Sequence, residues 1–288
     1  MKAPQALTLA NGRLAALSWG RPDAPTWLAL HGWLDNAASF SRLAPLLVER
    51  LNIRIVAIDF AGHGLSWHHP AGADYAIWDY IHDVLDVLES LELTQATLLA
   101  HSMGAGVACL VAAALPEKVE RLVLIDGLGT LTTPAEDTAK QLRKGLLGHR
   151  RRSSPAPGYP DIESAIGARV GGGVTAIDAP TAEPLVTRNL EQDEQGRLRL
   201  RTDGRLLRAS MVRLCPEQVL AMLADIQAPV LLIEGEQGVL GAREISRHAR
   251  AAVSQLRRQV LPGGHHLHLE PKAVAAVAEA ISEYCTSD

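Results

Sequence analysis

Short, continuous apolar runs separated by longer amphipathic stretches restrict the folds open to this chain. Runs of strand character occupy 13–19 (RLAALSW), 26–32 (TWLALHG), 53–60 (IRIVAIDF), 96–102 (ATLLAHS), 121–127 (RLVLIDG), 229–236 (PVLLIEGE) and 256–263 (LRRQVLPG). Most do not alternate apolar with polar residues, as expected of strands covered on both faces. Between them, helical patterns span 37–51, 74–93, 103–119, 242–253 and 271–285; within the second, Ile77, Ile81, Val84, Leu85 and Leu88 recur at steps of three and four. Such alternation implies an α/β fold: a mostly parallel sheet flanked by helices. The start of the chain, with Asn11-Gly12 between two short runs, reads as a strand pair joined by a tight turn rather than a signal peptide.

The alternation fails between 131 and 228. This stretch is rich in arginine, contains SSPAPGYP and GARVGGG, and has helical pieces at 136–147 and 215–226 but no continuous buried strand. It is expected to be an inserted, mainly helical cap, with 1–130 and 229–288 forming one core. The segments at 155–158 and 171–173 are where such a cap would move. Its basic and acidic residues nearly cancel, so the run His149-Arg150-Arg151-Arg152 is read as a solvated face. The alternating Arg-Leu stretch from Arg197 suggests a short hairpin.

A net charge of −4 over 288 residues argues against nucleic acid as a partner. Three dispersed cysteines, Cys109, Cys215 and Cys285, point to a reducing compartment, hence a cytoplasmic protein. No apolar run reaches the ~18–20 residues of a membrane span. The eleven histidines show no zinc spacing with cysteine or carboxylate partners, so no metal or cofactor is expected.

The chemistry concentrates at LLAHSMGAG, residues 98–106, where a strand turns directly into a helix of small residues with Ser102 at the corner. A tight turn of this kind lifts a serine Oγ away from the sheet and sets it at a helix N-terminus, where free N–H groups favour developing negative charge. The usual first glycine is here Ala100, which is still small. The Met103 N–H is one expected oxyanion donor and the Trp33 N–H, in the loop after LALHG, the second. His31, Gly32, Trp33 and His101 are expected to contact substrate.

Taken in order, HGW, DFAGHGLS, AHSMG and GGHHLHLEP resemble the landmarks of α/β-hydrolase-fold serine hydrolases, nearest the serine hydrolase-like and short-chain esterase branches. The resemblance covers the chain except 131–228. It implies a Ser-His-Asp triad with Ser102 as nucleophile and His265 as base, ahead of His266 and His268. In many relatives the acid falls at the position of Gly238, which has no side chain. Asp126, ending the preceding strand, is the expected acid, with Glu236 and then Glu234 as alternatives. Asp59 and His63, in DFAGHG, are expected to shape the pocket rim. The implied activity is hydrolysis of a small-molecule carboxylic ester. A thioester, a lactone or a carbon–carbon bond would suit the same triad, and a non-catalytic binding protein on this scaffold is the reading from another class.

Overall fold

The structure is a computed structural model and describes residues 3–151, 158–172 and 175–287. Eight strands form one sheet: β1 (Gln5–Leu9), β2 (Leu14–Trp19), β3 (Thr26–Leu30), β4 (Arg54–Ile58), β5 (Ala96–His101), β6 (Val119–Ile125), β9 (Val230–Gln237) and β10 (Leu256–Gly264). Their order is β1-β2-β4-β3-β5-β6-β9-β10, parallel from β4 to β10 and antiparallel at the β1/β2 and β2/β4 pairs. A separate hairpin pairs β7 (Leu190–Gln192) with β8 (Leu198–Leu200), in the stretch of alternating arginine and leucine. Ala10, Asn11 and Gly12 all adopt positive φ in the turn joining β1 to β2.

The continuous apolar runs follow from burial on both faces. Along β3, Leu28 and Leu30 enter one core cluster while Trp27 and Ala29 enter the other; Leu122 and Leu124 part in the same way from Val123 and Ile125 on β6. Successive side chains of a strand point to opposite faces, so a strand with two covered faces has no polar position to spare. One cluster packs beneath α2 (Tyr80–Ser90), α3 (Met103–Ala114), α7 (Pro216–Ala224) and α8 (Glu244–Ala252); the other lies under α1 (Leu43–Leu51) and α9 (Val274–Thr286). The helix expected over 74–93 begins only at Tyr80, because Asp79 accepts from the Ala76 N–H and closes a turn ahead of it.

Between β6 and β9 lie α4 (Thr138–Arg150), α5 (Ile162–Gly171), α6 (Ala179–Arg188), the β7/β8 hairpin and α7. Asp161 and Asp178 cap α5 and α6, accepting from the N–H groups of Ser164 and Thr181. The insert is bonded to the rest of the chain at several points. Arg188 on α6 donates to both carboxylate oxygens of fully buried Asp59, and Asn36 Nδ2 donates to the Leu185 carbonyl at 2.8 Å. The Trp33 indole N–H donates to Leu206 O at 2.9 Å, and the Tyr75 hydroxyl to Asp203 at 2.8 Å. α7 packs on α3 and α8. Residues 152–157 and 173, which carry part of the two expected points of movement and Arg152, lie outside the described residues.

Candidate active site

β3 is flanked by β4 on one side and β5 on the other, so the chain reverses its winding direction there. In a parallel α/β sheet such a switch point opens a crevice beyond the carboxyl ends of the strands. The loop after β3 and the turn after β5 both reach this crevice. Ser102 sits in that turn at φ 51° and ψ −113°, a region that costs a side-chain-bearing residue about 1–3 kcal/mol. The turn is tight enough to demand small neighbours: a Cβ on Gly104 would lie 2.3 Å from the Leu30 carbonyl oxygen. Ala100 is fully buried on β5.

His265 follows β10 and is 8% exposed. Its Nε2 lies 2.9 Å from Ser102 Oγ, and its Nδ1 lies 2.6 Å from Asp126 Oδ2. An N–H on Nδ1 donates to the carboxylate, which leaves the Nε2 lone pair to accept from the serine hydroxyl. Asp126, fully buried at φ 43° just past β6, also accepts from the Val239 N–H at 2.8 Å. Gly238 has a steric reason: a Cβ there would lie 2.1 Å from Asp126 Oδ1. The carboxylate reaching over from β6 therefore fills the space a side chain at 238 would take. Of the alternative acids, Glu236 is exposed, and Glu234 is engaged by Arg250 at 2.7 Å and Arg258 at 2.9 Å. His266 and His268 bond elsewhere, to Asp35 at 3.1 Å and Ser39 at 2.8 Å.

Met103 is the first residue of α3, so its N–H has no acceptor within the helix. Trp33 is 38% exposed at the end of the HGW loop. The expectation that His31 and His101 contact substrate is corrected, because both are fully buried and committed to loop contacts. His31 accepts from the Phe60 N–H at 3.0 Å and donates to the Gly32 carbonyl at 2.7 Å; burial lowers its pKa to about 4. His101 donates from Nε2 to the His265 carbonyl at 2.9 Å. Gly32 is likewise buried, against His101. Asp59 holds the rim, accepting from the N–H groups of Ala37 and Leu65 as well as from Arg188, and His63 is buried beside it. Arg188 escaped the sequence reading, since nothing near it in the chain marks its partner. A cavity of about 580 Å³ lined by Leu17, Leu65, Pro184 and Arg188 includes none of the triad residues and is not an acyl pocket for Ser102.

The alpha/beta hydrolase fold family matches residues 25–272. A serine hydrolase-like protein of Dictyostelium discoideum is 36% identical over 270 residues, covering 89% of this chain and 74% of its own length. A hypothetical protein of Pseudomonas aeruginosa PAO1, solved as a crystal structure, superimposes with a TM-score of 0.89 at 41% identity and covers 99% of this chain and 100% of its own. The thioesterase domain from the curacin biosynthetic pathway superimposes at 0.78 with 26% identity, over 96% of this chain and 98% of its own. The chain belongs to the α/β-hydrolase fold family, with serine hydrolase-like proteins among its relatives.

Proposed function

We propose that the chain hydrolyses carboxylic esters of small to medium size through an acyl-enzyme on Ser102. The observation that carries this reading is the unbroken hydrogen-bonded chain from Ser102 Oγ through His265 to Asp126, at 2.9 and 2.6 Å. Ser102 Oγ attacks the substrate carbonyl carbon while its proton passes to His265 Nε2. Asp126 keeps the Nδ1 proton in place and stabilises the imidazolium that forms. The carbonyl oxygen, now carrying the negative charge, lies against the N–H groups of Met103 and Trp33, with the α3 N-terminus behind the first. His265 then protonates the departing alkoxide. Water, deprotonated by His265, attacks the acyl-enzyme and releases the acid, and the proton returns to Ser102. In this reading residues 131–228 act as a cap over the core, choosing the acyl and alcohol groups that enter.

Hydrolysis of an aryl-ester ladder from acetyl to palmitoyl, with Ser102→Ala as the blank, tests the proposal. Serine-dependent turnover greatest at short to medium acyl chains is expected. Absence of serine-dependent turnover on every ester would remove ester hydrolysis as the activity. The likeness to a thioesterase domain favours one second reading, a thioester substrate on the same triad. Acyl-thioesters run beside the esters separate the two by relative kcat/KM.

A further inference from the structure

The loop carrying His265 is braced by buried groups that the proposed reaction does not use. Asp35 follows β3, His101 ends β5 and His266 follows β10; they are 2%, 0% and 2% exposed. Asp35 Oδ2 lies 3.6 Å from His101 Nδ1 and 3.1 Å from His266 Nε2, and one ligand atom from each residue falls within 4.8 Å of the other two. The tautomer of His101 is set by its other nitrogen. Nε2 faces the His265 carbonyl, which only accepts, so Nε2 carries the proton and Nδ1 presents a lone pair. That Nδ1 is buried without a hydrogen-bond partner and faces a carboxylate oxygen. Two acceptors opposed in a buried space are unfavourable unless a cation or a donor lies between them.

The dimensions suit a metal ion. Zinc bonds imidazole nitrogen and carboxylate oxygen at about 2.0–2.2 Å, which makes the edge of its tetrahedron about 3.3 Å; the observed 3.1 and 3.6 Å bracket that edge. A histidine ligand ordinarily gives its other N–H to a carbonyl or carboxylate, as His101 does. The missing Cβ of Gly32 keeps the approach open, since one would lie 2.9 Å from His101 Nδ1 and 3.2 Å from Asp35 Oδ2. We propose that His101 Nδ1, His266 Nε2 and Asp35 Oδ2 form a binding site for a divalent transition metal of the zinc type. Two borderline nitrogens with one carboxylate favour zinc or cobalt over magnesium or calcium. On binding, the His266 proton that faces Asp35 from Nε2 is taken up at Nδ1, so the neutral ring offers its Nε2 lone pair to the metal. Its effect is to tie together the three loops that carry Trp33, Ser102 and His265. The donors come from three distant segments, so no spacing along the chain could reveal them.

The test is metal content after equilibration with Zn2+ and gel filtration, together with the visible spectrum on Co2+ titration. Wild type is expected to retain one equivalent and to show an intense tetrahedral Co2+ band. His265→Gln should retain the metal, which excludes the catalytic imidazole as its ligand. Asp35→Asn and His266→Gln, checked for folding by near-UV circular dichroism, should retain none. Failure of wild type to take up either metal, or uptake by folded Asp35→Asn equal to wild type, overturns the site. Should neither variant fold, the wild-type Co2+ stoichiometry and band decide the matter. The site stands or falls independently of whether Ser102 is a nucleophile.

Discussion

At Gly238 a missing side chain makes room for a carboxylate from another strand. Asp126, from the end of β6, occupies the space that a side chain at 238 would take. Two consequences follow at the scale of single residues. Asp126→Asn keeps the shape but reverses the hydrogen bond to His265, and should lower kcat by about 10⁴-fold with KM little changed, read from steady-state kinetics. Gly238→Asp alone should destabilise the loop, because its Cβ meets the Asp126 carboxylate. Combined with Asp126→Gly, which suits the positive φ at 126, it should return activity well above that of Asp126→Gly alone. Ser102 and His265 were legible because each sits in a short local pattern. Asp126 was expected only through the resemblance, with Glu236 and Glu234 left open, since its reach to His265 depends on the pairing of β6 with β9. His31 and His101 misled because the sequence around them shows where the loop lies and not which way a ring turns.

Among the elements, the strands were the most readable part of the chain, since a short continuous apolar run between turn residues is what burial on two faces demands. The helices of the insert were not. α5 and α6 are ten residues each, α5 burying only Ala165, and their clearest signals are the capping Asp161 and Asp178. What fixes the insert is side-chain bonding to distant loops, and two contacts can be tested. Arg188→Met strips fully buried Asp59 of its cation and should cost about 3 kcal/mol in urea unfolding, with Arg188→Lys recovering part of it. Trp33→Phe keeps the ring and the backbone N–H but loses the bond to Leu206 O. If that bond seats the insert over the site, the variant should raise KM more than it lowers kcat; an equal fall in kcat alone would place the indole in the chemistry instead.

Over the whole molecule, the buried charges and imidazoles set a dependence on pH that no local pattern could show. Burial lowers the pKa of His31 to about 4 and that of His63 to about 3, with the neighbouring His31 ring acting further on His63. Both are held neutral in the folded state, whereas in the unfolded chain they take up protons below about 6.5. The unfolded state therefore binds more protons as pH falls. The contribution of these two groups to stability is full above pH 6.5 and is lost progressively down to about pH 4 for His31 and about pH 3 for His63. Each group contributes a slope approaching about 1.4 kcal/mol per pH unit inside its window. Asp203 acts lower on the scale. Burial raises its pKa, but hydrogen bonds from Arg205 and from the Tyr75 hydroxyl outweigh that and bring it to about 2, so its stabilisation disappears only between about pH 4 and 2. Urea midpoints measured from pH 8 to 4 should accordingly stay level to about 6.5 and then fall. His63→Phe preserves the ring packing against His31 and Tyr80 while removing the titrating nitrogens. It should flatten the decline between pH 6 and 4, and an unchanged slope would move the acid sensitivity to groups other than His63.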